Sequence, residues 1–517
     1  MPANSSPWWK TGVIYQVYPR SFQDTNSDGI GDLPGITRRL DYLVSLGVDA
    51  LWISPFYPSP MADFGYDVAH YTEVDPLFGS LADFDALLAA AHARNLKVIL
   101  DFVPNHTSDQ HPWFLESRSS RTNPKRDWYL WRAAAPDGGP PNNWLSHFGG
   151  PAWTFDQLTG QFYLHSFLNE QPDLNWRNPE VREAIYAAMR FWLDKGVAGF
   201  RMDVLWLLIK DEHLRSNLAD SKPYNADQPE THEIVATMRS ILDAYPGDRL
   251  LIGEIYLPLP QLVAYYGAQM QGAQLPFNFH LILTRWEANA IAAVIQTYES
   301  LLPTAAWPNY VLGNHDQSRL ATRIGPAQAR VAAMLLLTLR GTPTLYYGDE
   351  LGMTDVPISP AEVRDPAERN QPGLGLGRDP ERSPMLWDAT PNAGFTTGTP
   401  WLPILSTHAT LNVETQTTQP ASMLALYRKL LALRREHAAL HSGSLTDISA
   451  YEGVLTYRRT HEGRSLQVFL NLTTEHRSIP CPAGRILLTT IMDGEGAPVG
   501  PTLILEAAEG VLIQLDD

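Results

Sequence analysis

The stretch Gly196–Val204, GVAGFRMDV, sets Arg201 and Asp203 two residues apart. On an extended strand both side chains then point to one face. A guanidinium within a few Å of a carboxylate favours its ionised form, so Asp203 is either a nucleophile or half of a structural ion pair. Other apolar stretches end in the same polar way. Asp101, Asn105 and His106 close KVILDFVPNH, Glu254 closes LLIGE, and Asn314, His315 and Asp316 close NYVLGNHD. Clustered carboxylates repel one another, so stability is a poor reason to gather them. Convergent carboxylates without a Cys/His metal set fit glycoside hydrolysis. That chemistry needs one ionised carboxylate to attack an anomeric carbon and one carboxylic acid to protonate the leaving oxygen. Arg201 marks Asp203 as the ionised one. Glu254 follows Leu250, Leu251, Ile252 and Gly253, and burial beside another carboxylate raises a pKa as a general acid requires. Asp316 is then a third carboxylate, suited to binding sugar hydroxyls and an oxocarbenium-like transition state.

Such residues converge only if their strands run parallel side by side. Short β-like runs alternate with helical patterns over most of the chain, the signature of a parallel α/β architecture. The strand candidates are GVIYQVY, ALWISP, KVILDFV, GFRMDV, LLIGEI, AQLPFNF, NYVLGN and TPTLYYG. Eight is the number that closes a (β/α)8 TIM barrel, whose active sites sit at the C-terminal ends of the strands. LADFDALLAAAHARN, PEVREAIYAAMRFWLDKG and AQARVAAMLLLTLRG read as intervening helices, each ending at Asn or Gly. Two stretches break the rhythm. Residues 105–175, rich in Trp, Pro, Asn and Gly, are too long for a βα loop and read as a domain inserted after the third strand. A second loop-rich excursion covers about 354–420. The barrel then comprises 1–104 and 176–441. From 442 to 517 alternating apolar runs (VLTYRRT, SLQVFLNLT, RILLTTIM) predict a small antiparallel β domain.

DTNSDGIGD, from Asp24 to Asp32, spaces oxygen side chains at Asp24, Asn26 and Asp28 before Gly29, like the first half of an EF-hand loop. Ile30 offers its carbonyl and Asp32 a further carboxylate. Gly35 stands where that loop's bidentate Glu would be. The spacing predicts a hard-cation site, Ca2+ ahead of Mg2+; the competing reading is an Asp- and Gly-rich turn.

The 517 residues carry a formal charge of −17, which argues against nucleic acid or an anionic membrane as partner. One cysteine, Cys481, excludes an intrachain disulfide framework. No apolar run approaches the ~20 residues of a membrane span. MPANSSPWWKTG has no basic segment leading into an apolar one, so a cytoplasmic location is expected.

In combination, DFVPNH, GFRMDVLWL, GEIY and GNHD resemble the four regions of glycoside hydrolase family 13, the α-amylase family, in order. WWKTGVIYQVYPRSF, DGIGDLPGI, QPDLNW and ERSPMLWD are similar to its oligo-1,6-glucosidase and α-glucosidase subgroup. The resemblance implies a catalytic barrel, an inserted B domain over about 105–175 and a C-terminal antiparallel β-sandwich. It implies a retaining, exo-acting α-glucosidase on short oligosaccharides, with Asp203 as nucleophile, Glu254 as acid/base and Asp316 as transition-state stabiliser. By the same likeness His106 and His315 bind the glucose hydroxyls, Tyr66 stacks on the ring, and Asp63 with Arg378, ahead of Arg382, clamps its terminal hydroxyl. Arg201 stays beside the nucleophile. Phe148 and Phe167 line the pocket or simply pack the core.

Val204, directly after the nucleophile, goes with α-1,6 preference in the subgroup, where Ala or Thr goes with α-1,4. GEIYLPLPQLVAYYG departs from the common oligo-1,6-glucosidase pattern, so both linkages stay open. The rival activities are a transglucosidase or a sucrose-isomerising enzyme using the same intermediate. GLGRDPER lacks the charged pattern of the isomerases. A non-catalytic sugar-binding or transporter-associated relative predicts lost carboxylates or an added membrane span, and the sequence has neither.

Overall fold

The computed structural model describes residues 6–219 and 221–516. Eight parallel strands form its centre: β1 Ile14–Val17, β2 Ala50–Ile53, β3 Lys97–Phe102, β4 Gly199–Met202, β5 Leu250–Glu254, β6 Leu275–Phe277, β7 Asn309–Val311 and β8 Thr342–Tyr346. They are hydrogen-bonded in the order β7-β8-β1-β2-β3-β4-β5-β6. β6 and β7 lie against each other without a ladder, which leaves a nearly closed (β/α)8 barrel.

The helices between the strands are set by their ends. Leu81–Ala93 (α1) starts on a capping box of Ser80 with Asp83. Pro179–Lys195 (α2) has Asn178 as N-cap and proline in its first turn, and stops at Gly196 with φ 103°. α2 buries Val181, Ile185, Ala188, Met189 and Trp192 at helical spacing against the barrel. Gly199 opens β4 at φ 152°, and a Cβ there would meet the Leu250 carbonyl oxygen at 2.0 Å. Only glycine lets β4 approach β5 so closely.

Inside the barrel the inward residues change character along each strand. Ile14, Ala50, Trp52, Ile99, Leu250, Ile252, Leu275 and Val311 form an apolar plug. The next inward positions toward the C-terminal ends are Asp101 after Ile99 and Glu254 after Ile252. Asp101 pairs in register with Arg201. The polar layer therefore lies above the plug, toward the C-terminal ends of the strands.

After β3 the chain makes a three-stranded antiparallel sheet, Trp131–Arg132, Gln161–Leu164 and Trp153–Asp156 in that order. Trp144, Trp153, Phe162 and Leu164 pack beneath it, which accounts for the aromatic richness of this stretch. The C-terminal part is a six-stranded antiparallel sheet facing the two-stranded sheet Arg477–Pro480 with Thr502–Leu505. Val454, Phe469, Val511 and Ile513 meet Ile479, Leu503 and Leu505 between the two sheets. Among the described residues no helix is long and apolar enough to cross a membrane.

Candidate active site

A cavity of about 370 Å3 opens at the C-terminal ends of the barrel strands. Asp203, Glu254, Asp316, Asp63, Tyr66, His106, Phe148, Phe167, His315 and Arg378 all line it. Arg201 lies behind the wall, fully buried. β7 ends at Val311, so His315 and Asp316 come from the loop beyond it rather than from the strand.

Arg201 is not reserved for Asp203. Its Nη1 donates to Asp101 Oδ1 and Asp203 Oδ1 at 2.8 Å each, and its Nη2 sits 2.7 Å from Glu254 Oε2. One guanidinium therefore joins the ends of β3, β4 and β5. Burial pushes Asp101 up to about 6 against the pull of Arg201. Burial and the neighbouring Glu254 charge raise Asp203 as well, opposed by Arg201. The spacing alone marked Asp203 as the carboxylate that Arg201 keeps ionised; in the structure burial and the Glu254 charge pull the other way, and Asp101, Asp203 and Glu254 all lean on the one guanidinium.

The backbone contributes directly here. Val204 has φ 35° and ψ 46°, a left-handed conformation that a β-branched residue adopts only at a cost of order 1–3 kcal/mol. That turn aims the Val204 N–H at Glu254 Oε2, 2.9 Å away. Glu254 is held by strain stored at the residue that follows Asp203.

Asp316 is compensated differently. Arg382 Nη2 lies 2.7 Å and Arg378 Nη1 3.3 Å from its Oδ1. Burial works to raise this carboxyl, and the surrounding positive charge outweighs it and holds Asp316 below the usual range. Burial keeps His315 neutral, so Arg382, Arg378 and Arg201 carry that effect. His315 lies between Gln16 Nε2, 2.8 Å from its Nδ1, and the Tyr66 hydroxyl, 2.6 Å from its Nε2. The Tyr66 hydroxyl donates to Asp101 Oδ2 at 2.9 Å. Tyr66 is thus pinned by two partners.

At the far wall Arg378 Nη2 meets Asp63 Oδ1 at 2.7 Å, while its Nε meets Asp365 Oδ2 at 2.7 Å. Phe148 lies beneath the Arg378 guanidinium at 4.9 Å. Arg378 is therefore the partner of Asp63, and Arg382 belongs to Asp316. Phe167 touches Phe148, His106 and His147, with centroids 5.5, 5.3 and 5.1 Å away.

Sequence reasoning passed over Gln171, His147, Trp206, Tyr256 and Gln317, which also line the cavity. Gln171, Trp206 and Tyr256 sit inside QPDLNW, GFRMDVLWL and GEIY, so the motifs held the signal without the roles. Asp365, which locks Arg378, carried no signal beyond its type.

The Asp24–Asp32 loop lies apart from this cavity. Asp24 accepts from the N–H groups of Asn26, Ser27 and Gly29 and from the Thr396 hydroxyl. Asn26 and Asp28 accept from the N–H groups of Asp28 and Ile30. Asp32 caps the following helix through Gly35 N and also takes Thr25. Among the described residues no three His, Cys, Asp or Glu side chains are gathered as a metal set. Asn26 and the Ile30 carbonyl would have to complete any coordination. Among the described residues no Lys or Arg pairs with these carboxylates, whose partners are N–H groups and hydroxyls. An all-oxygen set with no cationic side chain beside it fits a hard cation.

Comparison with known proteins places this geometry. The family described as Alpha amylase, catalytic domain, matches residues 16–443. A probable alpha-glucosidase of Rhizobium meliloti is 41% identical, over 93% of this chain and 92% of its own. An oligo-1,6-glucosidase of Halalkalibacterium halodurans is 40% identical, over 93% of each chain. The crystal structure of an alpha-glucosyl transfer enzyme, XgtA, superposes with a TM-score of 0.94 at 41% identity. That match covers 99% of this chain and 100% of the other. The chain belongs to the alpha-amylase family of glycoside hydrolases.

Proposed function

We propose that the protein is a retaining, exo-acting α-glucosidase that releases α-glucose from the non-reducing end of short α-glucosides. The observation that carries this reading is the shared Arg201, which joins Asp203 and Glu254 beneath a cavity walled by the Asp63–Arg378 pair. Asp203 attacks C1 of the terminal glucose. The C1–O bond breaks, its electron pair stays with the leaving oxygen, and Glu254 supplies that oxygen with a proton. Glu254 then takes a proton from water as the water oxygen attacks C1, which frees Asp203. Two inversions give net retention. Asp316, kept ionised by its arginines, accepts from sugar hydroxyls and favours the positive transition state. The Asp63–Arg378 pair takes the terminal hydroxyl and leaves no room beyond one glucose.

Glu254→Gln should abolish turnover of natural disaccharides while leaving their binding largely intact. Wild-type rates in that variant would refute the assignment. Val204 lines the cavity and favours isomaltose slightly over maltose. The second reading, a dedicated glucosyltransferase, is favoured by the likeness to an alpha-glucosyl transfer enzyme. Mostly free glucose at high donor concentration would sink it. The Asp24–Asp32 loop takes a structural Ca2+, with Mg2+ as the alternative, held by Asp24, Asn26, Asp28, Asp32 and the Ile30 carbonyl.

A further inference from the structure

Lys210 is buried to 2% exposure, pairs with Asp173 of the inserted segment and is not one of the residues that line the catalytic cavity. Its Nζ lies 2.6 Å from Asp173 Oδ2 and donates to Asn105 Oδ1 at 2.8 Å and to the Leu207 carbonyl. An ammonium only donates, so this contact fixes which end of the Asn105 amide is oxygen. The Asn105 Nδ2 must then face the other way. It lies 3.2 Å from Asp173 Oδ1 and 3.1 Å from His106 Nδ1. A donor at that position requires His106 Nδ1 to be the acceptor.

The groups at the other ring nitrogen agree on balance. His106 Nε2 is 3.2 Å from the Tyr66 carbonyl oxygen, which only accepts, and 3.2 Å from Gln171 Nε2, which only donates. The Gln171 amide is itself oriented, since its Oε1 accepts from Leu168 N and its Nε2 donates to Asp63. With the proton on Nε2, His106 satisfies Asn105 and Tyr66 and faces one donor, the Gln171 amide. With the proton on Nδ1 it satisfies Gln171 alone and sets two N–H groups against each other at Asn105. The doubly protonated ring faces donors at both nitrogens, and burial already lowers His106 to about 4.

We propose that Lys210 is a positioning residue that, through Asn105, fixes His106 as the Nε2–H tautomer and so presents a hydrogen-bond donor to the sugar. The 3.2 Å contact to Tyr66 is at the long end for a hydrogen bond, so this N–H turns readily to a sugar hydroxyl. The inference rests on a sugar occupying the cavity only for its last step, since the tautomer exists without substrate.

The test is 15N NMR of histidine-labelled protein, which distinguishes the two ring nitrogens. Wild type should show His106 neutral with the proton on Nε2. Lys210→Met together with Asp173→Asn leaves no unpaired buried charge and frees the Asn105 amide to rotate. The double variant should lose the single tautomer and drop about 10- to 100-fold in kcat/KM, the range for one strong hydrogen bond. Asp173→Asn alone should keep the tautomer, which separates loss of Lys210 from loss of its partner. Asn105→Asp, which puts an acceptor at Nδ1, should move the proton to Nδ1, and it serves as the second route should the double variant not fold. A proton on Nδ1 in wild type, or an unchanged Nε2–H in both the double variant and Asn105→Asp, would overturn the proposal. An inactive protein on every glucoside with the predicted tautomers intact would instead overturn the proposed function.

Discussion

Two acidic regions of this chain neutralise their charge in opposite ways. In the catalytic cavity each carboxylate is within reach of a guanidinium: Asp101, Asp203 and Glu254 share Arg201, while Asp316 and Asp63 draw on Arg382 and Arg378. In the Asp24–Asp32 loop the partners are backbone N–H groups and hydroxyls. Buried arginines tune protonation and leave the carboxylates free to act on a neutral sugar. A loop that supplies only neutral donors leaves net negative charge, which a hard cation can satisfy. The same residue type does different work according to what stands beside it.

The contrast can be broken from either side. The largest effect is expected at Arg201→Met. Removing one partner of a buried ion pair costs about 3–5 kcal/mol, and here three carboxylates lose it together. Thermal unfolding should show a large fall and activity should vanish. A stable, active variant would mean that the barrel does not depend on the shared cation.

Chelating the cation proposed for the Asp24–Asp32 loop should act next in size. A ligand at 100 times its Kd stabilises by about 2.7 kcal/mol, so chelation should lower the melting temperature and added Ca2+ should restore it. Identical melting curves with and without chelator would leave the loop as a turn.

Arg382→Met should show in the pH profile. The Asp316 carboxyl is held below its unfolded value, so its contribution to stability is present above the unfolded pKa and is lost as pH falls through the folded one. Without Arg382 the folded pKa rises, and the acid limb of kcat/KM should move toward neutral pH. An unmoved limb would assign the effect to Arg378 and Arg201 instead. The smallest change is expected at Val204→Ala, about tenfold or less in the isomaltose-to-maltose ratio of kcat/KM, the scale of one or two methyl groups in a pocket.

Much of this was legible in the sequence because barrel geometry converts position along a strand into position in space. Asp101 and Glu254 could be assigned to one face from strand ends alone, since each follows an isoleucine two places earlier, and Arg201 is the register partner of Asp101. The Asp63–Arg378 contact joins residues 315 positions apart, and only likeness to a family suggested it. The strained turn at Val204 and the sharing of Arg201 were invisible, because both arise from tertiary packing overriding local preference. Gln171 and Tyr256 were seen as parts of motifs, but their aim into the cavity depends on loops whose path no periodicity encodes.

The most direct test of the central claim, that Asp203 forms a glucosyl intermediate, is the anomer first released. Proton NMR within the first minutes of hydrolysis, ahead of mutarotation, should show α-glucose appearing first. β-Glucose appearing first would contradict the account.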